Sequence, residues 1–140
     1  MKELTHTCHY KLYAYDELCE ADRKLVDAAK ESTQSSYAPY SQFQVGAAAL
    51  LSDGTIVSGS NQENAAYPSG LCAERTTLFY ANAAHPDKAV IALAVAAYTD
   101  GKFTNVPIPL AVMSRQKIDP EGSLWQAVLS ATRQNREYGV

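Results

Sequence analysis

Cys72-Ala73-Glu74-Arg75 sets a thiol, a carboxylate and a guanidinium side by side, and here the sequence offers chemistry. The preceding run, Asn61 to Leu71, is polar and holds Pro68 and Gly70, so the chain reaches Cys72 from a loop. A helix is expected over about Cys72 to Ala83, with Leu78 and Phe79 on its apolar face. A cysteine in the first turn of such a helix meets free amides and the positive dipole end. Both favour the thiolate, so Cys72 suits the role of anionic ligand. Glu74 is near enough to serve a species bound at that ligand without binding the metal itself. Arg75 can offset surplus thiolate charge from behind the ligands. Alone, Cys-x-Glu is weak evidence, because most such pairs are a buried cysteine beside a solvated glutamate.

The elements that must position these groups are readable upstream and downstream. Leu18, Ala21, Leu25, Ala28 and Ala29 recur at helical spacing through about Ser32, with Asp16 or Asp22 as the expected cap. Tyr37-Ala38-Pro39-Tyr40-Ser41 ends that helix, since proline lacks a donor and restricts the residue before it. Phe43, Val45, Ala47, Ala49 and Leu51 alternate as a strand. Asp53-Gly54 then reads as a type I′ hairpin turn into a return strand, Thr55 to Ser60. Val90 to Tyr98 is a continuous apolar run, as in a strand buried on both faces. Helices and strands alternate, so the class is α/β. Beyond Lys102 the pattern thins: Leu110 to Met113 suits a short strand and Glu121 to Tyr138 a terminal helix.

Tyr37-Ala38-Pro39-Tyr40-Ser41-Gln42-Phe43-Gln44-Val45-Gly46-Ala47-Ala48, then Asn61-Gln62-Glu63-Asn64-Ala65, then Cys72-Ala73-Glu74-Arg75-Thr76 together resemble the free-nucleoside cytidine deaminases. Order and spacing agree from about Leu12 to Tyr98. The resemblance implies a three-layer α/β/α sheet, truncated or altered at its C-terminal edge. It implies zinc as cofactor, Cys72 as the first of three thiolate ligands and Glu74 as the proton shuttle. Zinc-held hydroxide would attack C4 of cytidine or deoxycytidine, with Glu74 protonating N3 and then helping ammonia leave. Asn61 and Glu63 resemble the ribose-binding pair, Phe43 the aromatic lining the base pocket, and Ala73 the amide that reads the base. Tyr67 matches a position that reaches a neighbouring subunit, and a homotetramer is implied. Plainer roles stand beside these: Phe43 as core, Asn61 and Glu63 as turn formers, Tyr67 as loop packing.

The family pattern also calls for Pro-Cys-x-x-Cys at a second helix, and no cysteine follows Cys72. Aligning that motif on Leu110 to Gln116 puts Ala111 and Ser114 at the cysteine positions. Aligning it on Pro120 to Gln126 puts Glu121 and Leu124 there. Neither rebuilds a three-ligand catalytic site, and only Glu121 offers a plausible oxygen. Zinc occupancy is therefore expected to be low. Residues 102–140 diverge from the family, through a frameshifted end or in a zinc-free relative that binds nucleosides or supports assembly.

The whole chain sets the remaining bounds. Its 140 residues suit one domain. A net charge of −3 gives no footprint for nucleic acid or an anionic membrane. Cys72 also stands where nucleic-acid-editing relatives have histidine. No run of eighteen apolar residues or signal-peptide pattern occurs, so a cytoplasmic location is expected. Cys8 and Cys19 read as free thiols that serve as small buried hydrophobes, because three cysteines make no disulfide framework. His6, His9 and His85 lie outside the motifs and read as surface residues.

Overall fold

The computed structural model describes residues 13–104, so the elements expected beyond Thr104 lie outside them. Helix α1 (Glu20–Ser32) and strand β1 (Gln44–Leu51) come first, followed by β2 (Ile56–Ser60) and helix α2 (Ala73–Ala84). Strands β3 (Val90–Thr99) and β4 (Lys102–Thr104) complete the order. The four-stranded sheet runs β2-β1-β3-β4, and each neighbouring pair is antiparallel. The α/β class holds, with β1 in the interior as expected and β4 as an edge strand that composition did not reveal.

Two glycines show how the helices cover this sheet. A Cβ on Gly46 would lie 2.2 Å from the Ala29 carbonyl oxygen of α1, while one on Gly59 would lie 2.9 Å from Thr77 Oγ1 of α2. Gly59 pairs with Ala47, the residue after Gly46, and successive strand residues face opposite ways. The two helices therefore pack on opposite faces. This explains why Gly46 to Ala49 are all buried, and it agrees with the three layers that the family resemblance implies. It also explains the continuous burial of Leu93 to Ala97 on β3, although that strand is antiparallel to its neighbours.

Local chemistry corrects several expectations. Cys19 is exposed rather than buried, and it caps α1 in place of Asp16 or Asp22, its sulfur accepting the Asp22 amide at 3.4 Å. Asp22 instead sits inside the first turn, where a carboxylate complements the helix dipole. Phe79 is 46% exposed, and the buried stripe of α2 is Ala73, Glu74, Thr77 and Ala81. Small side chains let this helix approach β1 and β2 closely, which turns the larger Phe79 outward. The guanidinium carbon of Arg75 lies 5.4 Å from the Phe79 ring centre.

The Asp53-Gly54 hairpin forms, but with a different turn. Only Gly54 has positive φ there, and Leu51 N–H bonds the Thr55 carbonyl at 2.8 Å to close a three-residue loop. That is a type I turn followed by a left-handed glycine. The type I′ turn occurs instead at Asp100-Gly101, where φ is +51° and +76° and Thr99 pairs directly with Lys102.

Candidate active site

Asn61 is where β2 gives way to the loop that carries the candidate site. Its own amide bonds Val45 O at 3.0 Å, continuing the ladder to β1. Its main chain then turns away: Tyr37 N–H bonds Asn61 O at 3.0 Å and Glu63 N–H bonds Tyr37 O at 2.8 Å. The side chain fills the place the departing strand leaves. Oδ1 accepts Val45 N–H at 2.8 Å, and Nδ2 donates to Phe43 O at 2.9 Å.

Gln62 joins the other side of this loop to the entry of α2. Gln62 N–H bonds Leu71 O at 2.8 Å and Leu71 N–H bonds Gln62 O at 2.9 Å. Leu71 immediately precedes Cys72. Main-chain bonds therefore bring together the three segments singled out by sequence: 37–43, 61–63 and 71–75. Their long-range contacts could not be read from local patterning.

Glu63 holds the Tyr40–Ser41 turn. Its Oε2 accepts the Tyr40 amide at 2.9 Å and the Ser41 amide at 3.3 Å. A hydrogen bond with the Ser41 side chain, helped by those amides, holds the Glu63 carboxyl below its ordinary range despite partial desolvation. Gln42, next in the chain, takes a left-handed φ of +57°. Phe43 is partly buried at the threshold of β1, and its amide donates to Ser41 Oγ at 3.1 Å.

Cys72 is the N-cap of α2, one residue outside its expected first turn. Burial first, and then the Glu74 carboxylate, push its thiol up, while the hydrogen bond from the Arg75 amide pulls the other way. The thiolate-favouring effect expected of a helix start is thus opposed at this cysteine. Glu74 is only 3% exposed, and Ala73 is fully buried. Thr77 ties this turn to the sheet, its hydroxyl lying 2.8 Å from Ala73 O and 3.2 Å from Ala47 O. Arg75 Nε is buried without a hydrogen-bond partner among the described residues.

Tyr67 lies apart from these interior groups. It begins the short 3-10 turn Tyr67–Ser69 and is 91% exposed. His85 caps the opposite end of α2 from Cys72, and Cys19 caps α1. Among the described residues, no three His, Cys, Asp or Glu side chains gather as a metal site. Cys72 with its adjacent carboxylate falls short of the three protein ligands of a catalytic zinc, so these residues do not fit that metal. Cys8, His6, His9, Ala111, Ser114, Glu121 and Leu124 lie outside the described residues. Within the site, sequence reasoning missed the junction role of Gln62, the Ser41 contact with Glu63 and the Thr77 anchor. Their polar side chains were visible, but their partners lie far away in sequence.

The site is thus a thiol and a buried carboxyl at one helix start of a layered α/β domain. The model of the cytidine and deoxycytidylate deaminase zinc-binding region matches residues 19–107. A cytidine deaminase of Halalkalibacterium halodurans is 47% identical over 104 residues, covering 74% of this chain and 67% of that protein. One from Sporosarcina psychrophila is 47% identical over 78 residues, which is 57% of its length. The crystal structure of cytidine deaminase from Burkholderia pseudomallei aligns with a TM-score of 0.54 and 43% identity, covering 65% of this chain and 72% of that one. That of the Mycobacterium tuberculosis enzyme gives 0.56 and 33%, covering 66% and 74%. The chain belongs to the cytidine and deoxycytidylate deaminase family.

Proposed function

We propose that this chain binds cytidine or deoxycytidine, and that its reaction is hydrolytic deamination to uridine or deoxyuridine in pyrimidine salvage. The observation that carries this reading is the Gln62–Leu71 junction, which sets the Asn61–Glu63 loop beside the start of α2. Asn61 and Glu63 would take a sugar hydroxyl, one donating and the other accepting. Phe43 would lie against the pyrimidine, and the Ala73 amide would read its edge. Glu74, buried at the first turn of α2, would deliver a proton to N3 and then move one to the departing amine. Arg75 would balance negative charge near Cys72.

A zinc ion, where held, would supply activation of water for the chemistry at C4. For that metal the described residues offer Cys72 alone among the expected thiolates. A second reading follows from the sequence, in which no cysteine comes after Cys72: a zinc-free nucleoside-binding or assembly module. Calorimetry with both nucleosides, ammonia release and zinc per chain in a sample of verified mass decide between them. Binding with turnover supports the enzyme. Binding without turnover supports the nucleoside-binding module, and failure to bind either nucleoside overturns both the enzyme and that module, leaving assembly alone.

Assembly as a homotetramer is part of the same proposal, and the exposure of Tyr67 supports a role at a neighbouring subunit. Sedimentation showing only monomer at micromolar concentration would count against it. The net charge of −3 supports a small-molecule partner rather than nucleic acid, and a cytoplasmic setting is part of the same proposal. No helix among the described residues is long and apolar enough to cross a membrane.

A further inference from the structure

Ser36 lies just ahead of the Tyr37 motif, and its hydroxyl donates to Asn61 Oδ1. The same oxygen accepts the Val45 amide at 2.8 Å, while Nδ2 donates to Phe43 O at 2.9 Å. A carboxamide has two acceptor sites on its oxygen and two N–H donors on its nitrogen. Both acceptor sites of Asn61 are therefore filled and one donor is used. A single Nδ2–H is all this side chain has left for a ligand.

Glu63 has the opposite capacity. Its Oε2 is occupied by the Tyr40 and Ser41 amides, and a carboxylate can only accept. Between a side chain limited to donating and one limited to accepting, a hydroxyl is the matching ligand group. It accepts from the first and donates to the second. The phenylalanine carbonyl and valine amide orient the Asn61 carboxamide, but without Ser36 its oxygen would regain an open acceptor site. A sugar hydroxyl could then donate to Asn61 in competition with Glu63.

We propose that Ser36 is a positioning residue of the nucleoside pocket, making Asn61 a donor-only partner for a sugar hydroxyl by filling its second acceptor site. This rests on the nucleoside-binding reading above and adds a residue to it. Ser36 acts through Asn61 and need not touch the ligand.

Ser36→Thr and Ser36→Val form a matched pair in the full-length chain, one keeping the hydroxyl and the other replacing it with a methyl group. Cytidine and 1-methylcytosine, which carries the base without the sugar, are titrated into each by calorimetry or ligand-observed NMR. Ser36→Val is expected to weaken cytidine about five-fold, the size of one ordinary hydrogen bond. Its affinity for 1-methylcytosine is expected to stay unchanged, and Ser36→Thr to bind both like the original chain. The Asn61 side-chain amide resonances should shift in Ser36→Val and not in Ser36→Thr. Unchanged cytidine affinity in Ser36→Val, or an equal loss for both ligands, overturns the proposal while nucleoside binding stands. An original chain that binds neither ligand overturns the proposal together with the reading beneath it.

Discussion

Gln62 and Leu71 exchange both of their main-chain hydrogen bonds, at 2.8 and 2.9 Å. This antiparallel bridge fixes the approach of the Glu63 loop to the residue before Cys72. Gln62 also forms a parallel bridge with Tyr37, so one residue joins all three site segments. Its side-chain amide donates to Ser60 Oγ at 3.1 Å, which holds the junction at the end of β2.

Leu71→Pro removes one donor from this bridge, whereas Leu71→Ala keeps it. We expect the proline variant to lose about 1–3 kcal/mol more than the alanine variant. Urea denaturation measures the difference. Equal midpoints would show that the bridge contributes nothing to stability.

Gly46→Ala tests the packing of α1 on the sheet. The new methyl group would lie 2.2 Å from Ala29 O and 2.6 Å from Thr33 N, both backbone atoms. Helix and strand would have to separate, with an expected loss of about 3 kcal/mol. A melting temperature equal to that of the original chain would contradict this close approach.

Glu63 predicts an acid-sensitive loop. Its folded-state pKa lies below the ordinary glutamate value of 4.5, because the Ser41 side chain and the Tyr40 and Ser41 amides favour the charged form. Its stabilising contribution is full above the unfolded value and declines as pH falls through the folded value. Hydrogen exchange at Tyr40 and Ser41 should therefore quicken, relative to its intrinsic rate, below about pH 4.5. Glu63→Gln should remove that pH dependence, and a persistent profile would assign it to another group.

Glu74→Gln separates proton transfer from binding. Glutamine keeps the shape of this buried side chain but cannot accept and return a proton. In a preparation of the original chain that holds zinc and releases ammonia, the substitution should lower that release by about 10²-fold or more, with cytidine affinity retained. Undiminished release would remove Glu74 from the reaction.

Metal content tests the consequence of having no cysteine after Cys72. Purified protein is expected to hold far less than one zinc per chain, since one thiolate is too few for a catalytic site. Ala111→Cys with Ser114→Cys tests one placement of the absent motif, and Glu121→Cys with Leu124→Cys the other. Elemental analysis should show a gain of zinc in the pair whose geometry suits Cys72. Stoichiometric zinc in the original chain would require ligands among residues outside 13–104.

Much of the frame was legible because burial repeats along the chain. The helical spacing of Leu25 and Ala29, the strand from Phe43 to Leu51 and the apolar run after Val90 each reflect one local period. Cys72, Glu74, Asn61 and Glu63 were legible as a set through their linked motifs. Tertiary structure decided how they are held. Asn61 spends most of its hydrogen-bonding capacity on Phe43, Val45 and Ser36, partners that no local pattern identifies. Burial and Glu74 oppose ionisation of Cys72, although its place at a helix start suggested a thiolate. The same Asp-Gly pair makes two different turns, because strand register closes a three-residue loop at Gly54 and a two-residue loop at Gly101. Residue types and spacing thus determined which elements and groups this protein has. Only the pairing of distant backbone segments decided which way those groups face and what capacity they keep for a ligand, because a hydrogen bond depends on both partners and sequence periodicity describes one.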